Sequence, residues 1–525
     1  MAVIRMGIAD QHLATAGILD VLVLNAVHSF PIEPDVSIQV EWGLATTTVV
    51  VEADPEVAAE RMQELLWRLR SPDPRDLATL IAALRDEPEP TGGLVAATVY
   101  DRFGPVGPGL MMTPHFGLAR LTVAEVVRFA VRHVNAGNAR LAIAAPPDFE
   151  VHVRLPEGPL RPVPSFRPRR GKYPHTMEFG LHDETIIATG HLKRTYAARA
   201  LSTLWASRLN RYVRQERGIS YGAKPMYLTV GTDALVGIVC DAQAGTAPDI
   251  ARELRRQLDA LADSGPAHGE IDREFRDLQE LEPGIGWAAG EAENELLGMP
   301  LRTVDEHLAD LRSITADDVR AAAAGIRRSL TVAGPGLTSD DLTDSQRITP
   351  VDITGKSYRP RPGIDQRERM VVGDGIRYHD PDHEETLSIL PEQIVAAVHF
   401  EDGGVSLFRR DGARLNIEPT IWRDGPQLVA DVLDMVPPRL VVPEKARPEE
   451  FIPQPPSRLR RALRPLIWAA IAIVTIVVVT AITATHIWVG SRGHDEYTGV
   501  AGLLLYTPSA IALIAALLWR NRSTR

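Results

Sequence analysis

The sequence predicts an α+β protein that consists of two similar tandem units, a small β-rich domain with a C-terminal helix, and a two-helix transmembrane hairpin. Three observations predict this class: a strand–helix–strand order that occurs twice before residue 335, a run of short alternating segments after residue 365, and two long apolar stretches near the C-terminus. A chain of 525 residues is too long for one core, and 45% hydrophobic residues are enough to bury several.

The duplication is visible in two pairs of matching segments. The strand pattern "VSIQVEWGLATTTVVVEA" precedes the helix pattern "PEVAAERMQELLWRLR", and "PMYLTVGTDALVGIVCDA" precedes "APDIARELRRQLDALADS" in the same way. Each unit then closes with a helix and a strand, in "LTVAEVVRFAVRHVNAGNARLAIAAP" and in "ITADDVRAAAAGIRRSLTVAGPG". An internal duplication is the simplest account, with one domain over residues 1–150 and a second over residues 165–335.

Residues 365–437 alternate between apolar and polar side chains in short segments and end in the helix pattern "GPQLVADVLDMV". Several antiparallel strands followed by one helix resemble the small bacterial pleckstrin-homology-like domains. A polar stretch, residues 336–364, is predicted as the linker before this domain. The Pro- and Arg-rich stretch 438–465 is predicted as an extended tether after it.

Two apolar stretches, Leu466–Val489 and Val500–Trp519, are each long enough to cross a bilayer as a helix. Arginines precede the first and follow the second, whereas the short loop between them holds one arginine and two acidic residues. The positive-inside rule therefore predicts a two-span protein of the cell membrane, with both termini and the soluble domains in the cytoplasm.

Composition excludes other classes. The net charge of −11 argues against a nucleic-acid-binding surface, which needs clustered Lys and Arg. The single cysteine, Cys240, excludes an intramolecular disulfide and a cysteine-rich zinc site. The richness in Ala, Arg and Pro suggests a bacterial source with a GC-rich genome.

One stretch carries a resemblance to a known family. Residues 207–230 have the sequence "SRLNRYVRQERGISYGAKPMYLTV". This pattern predicts a helix that ends near Arg214, then a Gly-containing turn, and then a strand that begins at Tyr221. Together with the duplication, this resembles the insulinase or pitrilysin-type zinc peptidases and their mitochondrial processing relatives. The resemblance implies that Arg214 and Tyr221 hydrogen-bond a carbonyl of a substrate peptide. A plainer interpretation is a helix-end arginine that favours the helix dipole and an aromatic residue of a strand.

The same resemblance locates the place of the catalytic zinc. The family carries H-x-x-E-H on the first long helix, which corresponds here to "TAGILDVLVLNAVHS", a predicted helix with a possible cap at Thr15. The alignment puts Asp20, Val23 and Leu24 at the His, Glu and His positions. Valine cannot act as a general base and leucine cannot bind a metal, so zinc is not expected in this chain.

Three functions remain open at this point. The resemblance implies a membrane-anchored pseudopeptidase that binds peptide and serves as the non-catalytic Arg/Tyr subunit of a heterodimer, whose partner carries the intact zinc motif. The first alternative is a membrane scaffold with no peptide chamber in use. The second alternative is a zinc metallopeptidase with atypical ligands.

Overall fold

The computed structural model describes the chain as far as residue 455. Gaps in this description fall at residues 29, 31–32, 88–92, 145–148, 164–165, 170–172, 179–183, 274–283, 338–350 and 382–384. Residues 1–361 and 365–453 form one compact unit, and all helices and strands described below lie in it.

The first domain contains one antiparallel sheet with helices packed on it. Its elements are β1 Ala2–Ile4, α1 Ile18–His28, β2 Ser37–Trp42, β3 Thr47–Glu52, α2 Pro55–Arg70, α3 Pro74–Asp86, α4 Gly93–Phe103, α5 Val123–His133 and β4 Ala139–Leu141. The strand order is β2-β3-β1-β4. Strand residues of β1 and β3 share one core with apolar residues of α1, α2, α3 and α5, so these four helices lie on one face of the sheet.

The second domain repeats this order. Its elements are β5 His175–Glu178, β6 Thr185–Lys193, α6 Tyr196–Asn210, β7 Ala223–Val230, β8 Asp233–Asp241, α7 Ala247–Ser264, α8 Ile285–Leu296, α9 Val304–Arg312, α10 Ala316–Arg328 and β9 Thr331–Gly334. The strand order is β5-β9-β6-β8-β7. Strands β6, β7, β8 and β9 thus take the places of β1, β2, β3 and β4, and β5 is an additional strand parallel to β9. The duplication predicted from the sequence is present in the strand order.

One helix of each domain packs on the sheet of the other domain: α4 of the first domain on the second sheet, and α8 of the second domain on the first sheet. On β6, Ile186 and Ala188 belong to the core of the second domain, whereas Ile187 points to the opposite face and packs with Val99 and Phe103 of α4. On β1, Val3 likewise points away from its own core and packs with residues of α8. Both sheets are therefore covered on both faces.

The contact made by α8 is also polar. Glu295 pairs with Arg140 of β4 through two hydrogen bonds of 2.7 Å. Glu293 accepts hydrogen bonds from Thr46 of the first domain, at 3.1 Å, and from Thr229 of β7, at 3.4 Å. These bonds fix α8 between the two sheets.

The β region follows as two more sheets and a helix. Its elements are β10 Gly355–Tyr358, β11 Arg369–Gly373, β12 Ile376–Asp380, β13 Glu385–Ile389, β14 Ile394–Phe400, β15 Val405–Arg409, β16 Arg414–Ile417, α11 Gly425–Met435 and β17 Val441–Glu444. Strands β10 to β13 form an antiparallel meander, and the second sheet has the order β16-β15-β14-β17. The pleckstrin-like assignment of this region stays a prediction.

The predicted linker and the predicted tether are each wrong in one respect, because each contains a strand. The predicted linker 336–364 contains β10, which pairs with β11, and the predicted tether 438–465 contains β17, which runs parallel to β14. Both are short edge strands, and β17 includes Pro443, which an edge position tolerates. Their sequences are too short to show the apolar alternation that marks a strand, since each strand buries a single apolar side chain, Tyr358 in β10 and Val442 in β17.

Arg447, beyond β17, is also held within the predicted tether. Its guanidinium pairs with Asp402 at 2.6 Å and with Glu418 at 2.8 Å, and it lies 4.4 Å from the centre of the Phe400 ring. The hydrogen bonds from Arg447 hold the pKa of the Asp402 carboxyl far below its usual range. The chain is therefore fixed to the β region as far as this residue.

The β region packs on the first domain. Ala396, Val398 and Val442 form an apolar cluster with Leu13, which precedes α1, and with Leu110. The rings of Phe116 and Phe408 meet edge to face at 5.1 Å in the same contact.

The predicted spans 466–489 and 500–519 lie outside the described residues. Among the residues that the structure does describe, no helix combines the length and the apolar character needed to cross a bilayer.

Candidate functional site

The first part of the candidate site is the end of α6. The Thr195 hydroxyl caps the start of this helix by accepting a hydrogen bond from the Ala198 N–H, and the Trp205 indole donates to the Leu254 carbonyl inside the core. The helix then widens into a π-helical segment, Arg211–Glu216, which carries Arg214. Such widened turns occur often at functional sites because they re-aim side chains out of the helical register.

The second part is the turn that carries Tyr221. The Asp241 carboxylate accepts hydrogen bonds from the backbone N–H groups of Tyr221, at 2.8 Å, and of Gly222, at 3.1 Å. The Asn210 amide pairs with both the N–H and the carbonyl of Ala223, at 2.6 and 2.7 Å. The backbone of this turn is therefore held from two sides.

The two side chains that the resemblance singles out, Arg214 and Tyr221, are exposed. Tyr221 is 92% exposed, which is unusual for an aromatic side chain on a turn with so many backbone bonds. Arg214 is exposed as well. Within the described part of the chain, neither side chain has a hydrogen-bond or ion-pair partner, and the Arg214 guanidinium does not stack on the Tyr221 ring. The segment α6–β7, residues 196–230, therefore presents both predicted residues to solvent.

The supporting residues of this turn were not predicted from the sequence. Asp241 lies twenty positions after Tyr221 on the neighbouring strand β8, and Asn210 lies at the end of α6. The register of β7 with β8, in which Ala223 faces Cys240, brings Asp241 next to the turn. No local pattern marks such a residue, because its role depends on the strand pairing.

Cys240 does not add a nucleophile to this site. Its thiol is buried in β8, and burial raises the pKa of the thiol to about 11, although the neighbouring Ser220 hydroxyl acts in the opposite direction. A thiol with that pKa stays protonated at neutral pH.

The helix expected at the zinc position begins later than predicted. Helix α1 starts at Ile18, and Thr15 lies in a separate 3₁₀ turn, where its hydroxyl donates to the His12 carbonyl at 3.3 Å. The cap predicted at Thr15 is wrong. The Gln11 side chain instead accepts hydrogen bonds from the N–H groups of Gly17, at 3.0 Å, and Leu19, at 3.3 Å. A glutamine six positions before the first of these N–H groups gives no capping signal in the sequence.

The three zinc-aligned positions lie in the packed part of α1. Asp20 is 8% exposed, Val23 is 1% exposed, and Leu24 is partly buried against the core of the first domain. Valine and leucine have no donor atom for a metal, so α1 does not fit a zinc ion. The described residues also hold no group of three or more His, Cys, Asp or Glu side chains that could bind a metal. That this chain carries no zinc stays a prediction.

The fold is found in known proteins. No protein-family model matches the chain. A protein of Streptomyces coelicolor named as an uncharacterized zinc protease is 31% identical over 155 residues; the match covers 27% of this chain and 34% of that protein. The chain thus spans about a third of the length of this relative.

Two solved structures share the architecture. The crystal structure of a peptidase M16 inactive domain from Pseudomonas fluorescens has a TM-score of 0.52 at 16% identity, covering 65% of this chain and 93% of that one. A protease from Helicobacter pylori has a TM-score of 0.50 at 10% identity, covering 64% and 92%. The chain has the fold of the M16, or insulinase-type, peptidases.

Proposed function

We propose that the protein is a membrane-anchored, cytoplasm-facing insulinase-type pseudopeptidase that binds peptide and supplies Arg214 and Tyr221 to a partner subunit with an intact zinc motif. The observation that carries the proposal is the contrast between two sites. Arg214 and Tyr221 are exposed on a firmly held turn, whereas two of the three aligned zinc positions in α1, Val23 and Leu24, hold side chains that pack in the core and have no metal-binding atom.

The chemistry of the turn suits a peptide carbonyl. A guanidinium and a phenol are hydrogen-bond donors, and both side chains are available because neither has a partner among the described residues. Two donors aimed at one carbonyl oxygen would hold it and stabilise negative charge that develops on it. Since the turn is already ordered by Asp241 and Asn210, little conformational entropy is lost when the peptide binds.

The packing of α4 and α8 supports a role for a second subunit. A chamber between the two sheets of this chain would require their inner faces to be open, but α4 and α8 cover them. A peptide held by Arg214 would therefore lie on the outer surface of this chain, and enclosing it requires another polypeptide. The partner's zinc would supply the attack on the carbonyl, and this chain would position the peptide.

The first experiment measures peptide binding. Full-length protein in detergent is titrated into fluorescein-labelled peptides of mixed sequence, and anisotropy gives Kd. Loss of charged hydrogen bonds in Arg214→Ala is expected to cost about 1.5–3 kcal/mol, or roughly ten- to a hundredfold in Kd. Tyr221→Phe, which removes one neutral donor, is expected to weaken binding by about two- to tenfold. Arg252→Ala is the control, because Arg252 is an exposed arginine on α7, paired with Asp249.

The proposed role of Arg214 is wrong if Arg214→Ala binds peptide as tightly as the control variant does. A partner is sought separately by purifying the full-length protein from its native membrane and identifying companions by mass spectrometry. A companion with H-x-x-E-H whose peptide cleavage depends on Arg214 supports the heterodimer, and cleavage that is unchanged by Arg214→Ala contradicts it.

A second candidate function is a membrane scaffold. The packing of α4 and α8 on the two sheets favours a scaffold, because it leaves no open face between the sheets for a peptide. The packing of the β region on the first domain also suits a rigid platform. A scaffold would retain its companions in the Arg214→Ala and Tyr221→Phe variants and would show no peptide binding in the unmodified protein.

A further inference from the structure

The segment that carries Arg214 and Tyr221 is strongly basic. Besides Arg214, it contains Arg211, Arg217 and Lys224, and all four side chains are exposed. We call these four residues the basic patch. Glu216 is the single acidic residue between positions 207 and 224, in a chain whose net charge is −11. The basic patch is therefore a local reversal of the charge of the protein.

The charges of the basic patch are not neutralised inside the described structure. No carboxylate lies within ion-pair distance of any of the four side chains among the residues described, and Arg217 only stacks on the Tyr212 ring, 5.9 Å from its centre. Other arginines of the second domain differ: Arg208 pairs with Glu270, and Arg256 pairs with Glu253. The Asp241 carboxylate, which lies beside the turn, accepts hydrogen bonds from backbone N–H groups.

An exposed tyrosine within this patch adds a contact surface that charge alone does not give. Tyr221 presents its ring on an ordered backbone, so the ring can pack on a bound chain at little entropic cost. Arginine side chains bind carboxylates with two parallel hydrogen bonds, which gives geometry as well as attraction. The combination fits an extended chain with acidic side chains on either side of the carbonyl that Arg214 and Tyr221 hold.

We propose that the basic patch selects acidic peptides, with Arg211, Arg217 and Lys224 binding Asp or Glu side chains that flank the held carbonyl. The inference rests on the proposed function, since it assigns a substrate class to the same turn. The roles of the residues are separate: Arg214 and Tyr221 bind the peptide backbone, and the other three cations determine the sequence preference.

The test compares three labelled peptides of equal length, with four Glu, four Gln or four Lys around a common centre, each titrated with full-length protein in detergent. At low salt, the Glu peptide is expected to bind at least about tenfold more tightly than the Gln peptide, because close charge pairs are then weakly screened. This preference is expected to shrink as salt is added.

Two triple variants assign the preference. In Arg211→Gln/Arg217→Gln/Lys224→Gln, the Glu and Gln peptides are expected to bind within about twofold of each other, while the Kd of the Gln peptide is unchanged. The matched control Arg252→Gln/Arg320→Gln/Arg327→Gln removes the same charge from α7 and α10, where these side chains are exposed or nearly so and paired with neighbouring aspartates. The control is expected to keep the preference.

Each contrary outcome has a definite meaning. Equal binding of Glu and Gln peptides, or a preference that survives in the patch variant, overturns this inference and leaves the proposed function standing. Failure of the unmodified protein to bind any of the three peptides overturns both. Patch-dependent binding of vesicles with anionic lipid, or of a single-stranded oligonucleotide, without a preference among the peptides also overturns the inference, because the basic patch then serves another anion.

Discussion

Helices α1 and α6 follow equivalent strands of the two domains, but they expose opposite kinds of surface. In α1, the side chains aligned with a catalytic site are buried or half-buried, and Val23 and Leu24 contribute to the core. At the end of α6, Arg214 and Tyr221 are exposed and held on an ordered turn. The same framework thus supports packing in one domain and an available polar surface in the other, which separates the fold from the chemistry of any site on it.

The contrast between α1 and α6 is tested most strongly by placing the glutamate of the family's zinc motif at position 23 of α1. Val23→Glu places a carboxylate at a position that is 1% exposed in the apolar core of the first domain, so we expect a loss of more than about 4 kcal/mol in the free energy of unfolding. Urea unfolding of the full-length protein followed by circular dichroism measures it. Leu24→Glu is the matched control and should cost less, because Leu24 is only partly buried. A Val23→Glu protein as stable as the unmodified one would contradict the packing described for α1.

The second test removes a side chain through which α4 of the first domain packs on the sheet of the second domain. Phe103→Ala leaves a cavity between α4 and the second sheet, and we expect a loss of about 3–4 kcal/mol. The control is Trp67→Ala in α2, where the side chain is 51% exposed and the loss should be much smaller. Thermal or urea unfolding of the two variants side by side gives the comparison. Equal losses would mean that α4 does not hold the two domains together.

The sequence revealed the duplication because strand and helix patterns of similar length recur in the same order. The sequence could not reveal that α4 and α8 each pack on the sheet of the other domain. Amphipathic periodicity shows that a helix buries one face, but it does not identify the surface that receives this face. Phe103 and Leu296 therefore indicate burial in the sequence, and only the folded chain shows that each packs on the sheet of the other domain.

The candidate site was predicted unevenly for a related reason. Arg214 and Tyr221 are close in sequence and lie on one segment, so a short motif was enough to single them out. Asp241 and Gln11, which fix the turn and the start of α1, act through contacts that strand pairing and chain reversal create. Neither position carries a local pattern that would have marked it.

The smallest expected effect concerns the end of α6, where Arg208 pairs with Glu270 through bonds of 2.8 and 2.6 Å. The hydrogen bond from Arg208 holds the pKa of the Glu270 carboxyl below its ordinary value of 4.5. A lowered pKa contributes stability above the ordinary value, and this contribution is lost as the pH falls through the folded-state value.

Glu270→Gln is accordingly expected to lower the free energy of unfolding by about 1–2 kcal/mol at neutral pH, with the difference from the unmodified protein shrinking below pH 4.5. Unfolding curves at pH 7 and at several acid values measure it. A constant difference across this range would show that the lost stability comes from packing and not from the charge of Glu270. Asp249→Asn, at an exposed pair on α7, is the control and should change little.

The exchange of helices has a consequence for the synthesis of the protein. The sheet of the first domain receives its second cover only when Ile285–Leu296 has been translated, more than a hundred residues after β4. Until then the face that carries Val3 is open to water, and the nascent first domain exposes apolar surface that can associate wrongly. The second cover of the first sheet therefore depends on a segment of the second domain that is synthesised late.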